Sequence, residues 1–217
     1  TVNFLGPCLP MMQMIENQVY LAQGAYARVI GGSEGLLALC RGMHYALVEI
    51  YVLAQTAAAY EKLGKRREAA ELLKAQDNIL VVCHAHPDGD AVGSGVALER
   101  MLTVLGKTAY LVCADTVPHQ LRFLLGYRPC GRAGDADALR PELLPEEFSP
   151  SFIVTVDVAS IELTGMAERL EGKVDLKIDH HSMGGDFAPL SLMYRGSSAC
   201  GEVIYDLAEQ LGLLDIE

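Results

Sequence analysis

The chain has 217 residues, enough for one ordinary domain with an appendage and a substantial core. Its 51% hydrophobic and 21% charged content excludes disorder as the default state. A net charge of −11 excludes a broad basic surface for gripping long duplex nucleic acid, although bound divalent cations could still turn an acidic pocket toward a small phosphorylated substrate.

Residues 1–76 read as helical. Cys40, Met43, Leu47, Ile50 and Ala54 recur at spacings of three and four, which predicts one helix face. Gly31-Gly32-Ser33 is expected to break the segment before that helix. Gly64, with the basic cluster Lys65-Arg66-Arg67, is expected to break it afterwards as a solvated helix end. A shorter helix follows, with Ala69, Leu72 and Leu73 on its apolar side. Met11, Met12 and Met14 are expected to fill core. The most apolar stretch, 45–60, is interrupted by Glu49 and Gln55 and is too short to span a bilayer.

From Asn78 the pattern changes. Ile79-Leu80-Val81-Val82-Cys83 is a continuous apolar run, as expected of a strand buried on both faces of a parallel sheet. A polar loop, 84–90, leads into an amphipathic helix marked by Leu98, Met101, Leu102 and Leu105, with Gly106 as its C-cap. Further strands are predicted at 109–113, 152–156 and 176–178. Residues 127–150 read as a connecting loop, and Cys200, Val203, Ile204, Leu207 and Leu211 mark a final helix. Strands alternating with helices predict an α/β domain, a mainly parallel sheet flanked by helices, with a helical N-terminal appendage. The six cysteines are scattered without a CxxC pair, so they read as reduced, mostly buried thiols in a cytoplasmic protein.

Functional groups in such sheets gather at the carboxyl ends of the strands. The first strand here ends in His84-Ala85-His86-Pro87-Asp88-Gly89-Asp90, the third at Asp157, and the fourth in Asp179-His180-His181. A carboxylate or imidazole directly after a buried strand packs poorly but makes a well-positioned ligand. Hydrolysis of a phosphate ester at neutral pH needs a nucleophile made from water and neutralised phosphoryl oxygens. Two divalent cations about 3.5–4 Å apart serve both needs. Mixed carboxylate and imidazole ligands suit manganese-like ions. Each element also has an ordinary reading: Asp88-Gly89-Asp90 as an acidic turn, Asp157 as a helix N-cap, Ser197 and Ser198 as caps of the last helix. His86 is expected to be a solvated loop residue.

HAHPDGDAVGS at 84–94, the aspartate of VTVDVAS at 154–160 and DHH at 179–181 closely resemble the first three motifs of the DHH phosphoesterase family. Gly-Ser-Ser-Ala-Cys-Gly-Glu at 196–202 fits as well. Within the family the resemblance is to the bacterial bifunctional oligoribonuclease/pAp phosphatases, and it covers about residues 67–217. It implies that His84 and Asp88 ligate one metal, that Asp90 and His180 ligate a second, and that Asp157 bridges them. His181 would face the substrate phosphate, with Asp179 orienting an imidazole. Ser197 and Ser198 are the candidate phosphate-binding residues. The implied cofactor is Mn2+, two ions, with Mg2+ or Co2+ as alternatives. The implied substrates are short RNA oligonucleotides or a nucleoside bisphosphate, with no membrane partner and with homo-oligomerisation left open. The expected division is a helical segment, 1–76, and a phosphoesterase domain, 77–217, cut before a fourth-motif aspartate. The competing readings are a catalytically incompetent binding fragment and an enzyme for cyclic dinucleotides or single-stranded DNA.

Overall fold

The computed structural model describes residues 8–128, 135–194 and 197–214, so Cys130 and Gly196 lie outside the described residues. The chain divides into two compact units, Thr1–Arg66 and Arg67–Glu217.

The first unit contains α1 (Leu9–Ala22), α2 (Tyr26–Gly42) and most of α3 (Ala46–Ala75). Its core is built from Leu36, Cys40 and Val52, with Met14, Leu37 and Val48 packed against them. Both expected breaks are absent. Gly31-Gly32-Ser33 lies inside α2, where the Ser33 hydroxyl donates to the Ile30 carbonyl at 2.7 Å, and Gly64 to Arg67 lie inside α3. A helical glycine costs only about 1 kcal/mol relative to alanine, which good helix formers on both sides offset. The chain instead turns at 43–45, where Met43 is the C-cap of α2 and His44 adopts a left-handed φ of 58°. That turn divides the predicted face. Cys40 is buried at the end of α2, whereas Leu47 and Ile50 are exposed on α3, whose first half buries Val52, Gln55 and Ala59 instead. Arg66 is not solvated either: it is buried, with its guanidinium 4.3 Å from the centroid of the Tyr26 ring. Met14 packs as expected, but Met11 and Met12 are exposed.

The second unit is a five-stranded, wholly parallel sheet. Its strands are β1 (Ile79–Val82), β2 (Ala109–Val112), β3 (Phe152–Val156), β4 (Leu176–Asp179) and β5 (Leu190–Met193), in the order β2-β1-β3-β4-β5. All four expected strands are present. β5 was not anticipated: it has four residues, of which only Leu192 is buried, too weak a pattern to stand out. β1 is buried throughout. Leu80 and Val82 join a cluster with Val112, Leu170 and Val174. The helix α4 (Gly89–Val104) packs against β1, β2 and β3, while α6 (Cys200–Leu211) packs on β4 and against α4. A single turn, α5 (Ala167–Leu170), and 3-10 turns at His119–Tyr127, Pro141–Leu143 and Ile161–Thr164 complete the unit. Gly106, at φ 77°, follows α4 as predicted.

Two devices secure the sheet away from its functional end. The edge strand β2 is covered by a buried ion pair: Glu99 of α4 accepts from the Leu111 N–H at 2.9 Å and from both Nε and Nη2 of Arg128. Arg128 in turn donates to the carbonyls of Leu111 and Ala138. At the amino ends of the strands, the Asp77 carboxylate accepts from the N–H groups of Asn78 and Thr108, and its carbonyl accepts from the Ser151 hydroxyl. The chain leaves β1 toward β2 on one side and returns through β3 on the other, so the strand order reverses between β1 and β3. The register Val82↔Thr155 brings the carboxyl ends of these two strands side by side at the reversal, where open α/β sheets form their binding crevice.

Candidate metal centre

Asp157 is the first residue beyond β3, 2% exposed, with a left-handed φ of 60° and its N–H bonded to the Ile178 carbonyl. This backbone turn sets its carboxylate at the reversal point between two groups of ligand atoms. Asp157 Oδ2 lies 3.6 Å from His84 Nε2, which is itself 3.7 Å from Asp88 Oδ1. Asp157 Oδ1 lies 3.5 Å from His180 Nε2 and 3.7 Å from His181 Nδ1. His180 Nε2 is also 3.5 Å from Asp90 Oδ2. Each of the groups His84, Asp88, Asp157 and Asp157, His180, His181 is compact enough to hold one ion. Ligand atoms at about 2.1 Å from a common cation are about 3 Å apart in octahedral geometry, so modest closure would seat one. Asp157 Oδ1 is buried with no hydrogen-bond partner, a costly state that a cation would relieve. The donor set fits a divalent metal.

The surroundings fix each of these side chains. Asp88 is the N-cap of α4, its Oδ1 accepting from the N–H groups of Asp90 and Ala91. Asp90 is held by α6: its Oδ2 accepts from the Cys200 N–H at 2.6 Å, and its Oδ1 from the Gly201 N–H and the Ser94 hydroxyl. His180 Nδ1 is 3.0 Å from the Ser197 carbonyl, which can only accept, so Nδ1 donates to it and Nε2 is left facing Asp90 and Asp157. His181 Nδ1 lies 2.7 Å from Asp179 Oδ1. Burial pushes Asp179 up, but the hydrogen bonds from His181 and the nearby Lys177 ammonium outweigh it, and the carboxyl is held below its ordinary value. Asp157 raises the His84 imidazole above its ordinary value against the opposing effect of burial. Burial, with the negative charge of Asp157 and Asp90, pushes the Cys200 thiol well up, so it stays a neutral neighbour rather than a thiolate ligand.

The model of the DHH family N-terminal domain matches residues 78–216. The chain belongs to the DHH family. The bifunctional oligoribonuclease and PAP phosphatase NrnA of Thermus thermophilus is 35% identical over 153 residues, covering 69% of this chain and 42% of that protein. The protein of the same name from Mycoplasma pneumoniae is 26% identical over 152 residues, covering 68% and 44%. The chain thus spans less than half the length of these relatives. An exopolyphosphatase-related protein from Bacteroides fragilis shares the fold, with a TM-score of 0.59 at 20% identity over 70% of this chain and 44% of that one.

The DHH domain gathers His84, Asp88, Asp90, His180 and His181 around the Asp157 carboxylate, with Asp179 behind His181. Ser197 and Ser198 lie beside α6, but neither caps it. Ala199 is the N-cap, and the first helical N–H groups are taken by Asp90. Asp157 caps no helix, since the turn at Ile161–Thr164 begins after Ser160. His86 is 95% exposed and pairs with Asp115. Sequence reasoning missed the Ser197 carbonyl, because a backbone group carries no residue signature. It also passed over Ser94, four residues after Asp90, and Lys177, a charge inside an apolar strand.

Proposed function

We propose that this chain is the metal-binding half of a two-metal phosphoesterase that hydrolyses short oligoribonucleotides or 3′-phosphoadenosine 5′-phosphate, with manganese as its ion. The observation that carries this reading is the Asp157 carboxylate, whose two oxygens face different ligand groups, Oδ2 toward His84 and Oδ1 toward His180. His84 and Asp88 hold one ion, Asp90 and His180 the other, and Asp157 is shared. The ions supply a nucleophile from water at neutral pH and neutralise the phosphoryl oxygens. His181 commits Nδ1 to Asp179, which leaves Nε2 to stabilise charge on the substrate phosphate or to protonate the leaving oxygen. Ser197 and Ser198, just ahead of α6, are the candidate phosphate-binding residues, although their N–H groups are taken by the Tyr194 carbonyl and the Glu202 carboxylate.

The names of the Thermus and Mycoplasma relatives support the substrate class. No helix among the described residues is long and apolar enough to cross a membrane. The phosphoesterase domain is 77–217 and the helical segment 1–76, the last residues of which, from Arg67, belong to the second compact unit. The test is hydrolysis by the full-length protein of a short RNA and of 3′-phosphoadenosine 5′-phosphate, with manganese and after chelation. Turnover that needs the metal and fades on long RNA is the expected result. Metal-independent turnover, or none on either substrate, would sink the proposal.

A further inference from the structure

Lys177 sits in β4 between Leu176 and Ile178 and is 1% exposed. A lysine buried this deeply must be paired, and an apolar side chain of its volume would suit a central strand better. Its ammonium donates to the Ala159 carbonyl at 2.9 Å and the Gly185 carbonyl at 3.1 Å, and it lies 3.3 Å from Asp179 Oδ2. The other oxygen, Asp179 Oδ1, accepts from the N–H groups of His180 and His181 and pairs with His181 Nδ1 at 2.7 Å. One carboxylate is therefore gripped from behind by Lys177 and from the front by the imidazole that faces the site. The same ammonium joins the loop after Asp157 to the loop after His181. Those loops meet at Gly184, where a Cβ would fall 2.2 Å from the Ala159 carbonyl oxygen.

We infer that Lys177 is a positioning residue for the phosphoester hydrolysis: through Asp179 it fixes the orientation of the His181 imidazole at the substrate phosphate. This rests on the function proposed above. Loop support alone would require only the two carbonyl contacts. The ion-pair contact at 3.3 Å to Asp179 Oδ2, an oxygen with no hydrogen bond of its own, adds a second point of attachment to the hold that His180 and His181 have on Oδ1.

The test uses the full-length protein with Lys177→Met, Asp179→Asn and the double variant. Each single change should lower kcat by about 10–100-fold, as partners behind a site residue do, with KM for short RNA close to wild type. Because both act through His181, the double variant should be no slower than the slower single one. Losses that multiply, or wild-type kcat in Lys177→Met, would overturn the inference. A second reading needs no turnover: in protein labelled with 15N-histidine at fixed pH, the His181 Nδ1 proton signal should shift in Lys177→Met as it does in Asp179→Asn. An unchanged signal in Lys177→Met overturns the inference even if the wild-type protein hydrolyses nothing, a result that would count against the functional reading alone. Thermal melting checks the fold. Should Lys177→Met not fold, Lys177→Gln carries the same comparisons, since it keeps a donor for the carbonyls but not the charge.

Discussion

At the scale of single residues, Asp157 combines two demands that few side chains meet. Its φ of 60° is left-handed, a region that asparagine and aspartate tolerate far better than other side chains, and in the proposed function its carboxylate serves two groups at once. Asp157→Asn keeps the backbone preference and removes the charge, so it separates the two demands. Turnover of the full-length protein with manganese should be abolished while the melting temperature stays near wild type. If the variant turns over at the wild-type rate, the bridging role is wrong. The adjacent imidazoles divide differently. His180 has its Nδ1 on the Ser197 carbonyl and its Nε2 toward Asp90 and Asp157, the arrangement of a ligand, whereas His181 has its Nδ1 on Asp179. His180→Ala should therefore lower bound manganese. His181→Ala should leave metal content near normal and lower turnover by about 10²–10³, the usual cost of a lost charge stabiliser. Metal analysis of both purified variants beside their rates decides this, and equal metal loss in the two would sink the division.

At the scale of elements, the buried strands were legible because a parallel sheet covered on both faces leaves unbroken apolar runs such as Ile79–Val82. The helical unit was less legible. The turn at 43–45 has no proline to announce it, and the conspicuous glycines lie inside helices. β5 was illegible because only Leu192 of it is buried, and the Glu99–Arg128 pair because its partners are 29 residues apart. That pair covers the β2 edge, and removing one member strands a buried charge. Arg128→Met should destabilise the fold by about 3–5 kcal/mol in urea unfolding, and adding Glu99→Leu should recover much of the loss. A double variant as unstable as the single one would show that the cost lies in packing instead. Asp77 makes a pH-dependent counterpart at the other end of the sheet. The N–H groups of Thr108 and Asn78 hold its carboxyl below the ordinary value. The unfolded chain therefore binds this proton more readily than the folded one. The contribution is present above an unfolded value of about 3.9, and is lost as pH falls through the lower folded value. The stability difference between wild type and Asp77→Asn should accordingly be constant near neutrality and shrink in acid. A difference that does not change with pH would mean the N–H contacts matter without the charge.

At the scale of the whole domain, the candidate site was legible because its proposed ligands stand in three ordered motifs, each immediately after a buried strand. What the sequence did not disclose was how the motifs hold one another. Asp90, from the first motif, takes the helix N-terminus at Cys200 and Gly201, 110 and 111 residues away, and the Ser197 carbonyl fixes the tautomer of His180. The proposed ligands span residues 84–180 and come from the ends of β1, β3 and β4 and the start of α4, so cations seated among them would cross-link segments that are far apart in an unfolded chain. Metal binding should then act as folding free energy. An ion that binds only the folded protein stabilises it by RT ln(1 + [L]/Kd), about 2.7 kcal/mol at a hundred times Kd. The melting temperature of the full-length protein should therefore climb with the logarithm of manganese concentration and return to its starting value on chelation. His84→Ala and Asp157→Asn should each flatten that climb, because the first removes a ligand of one ion and the second weakens the ligand both ions share. A change at the exposed His86, which pairs with Asp115 outside either group, should leave it intact. A climb equally steep in Asp157→Asn and wild type would mean that manganese binds somewhere other than the crevice between β1 and β3.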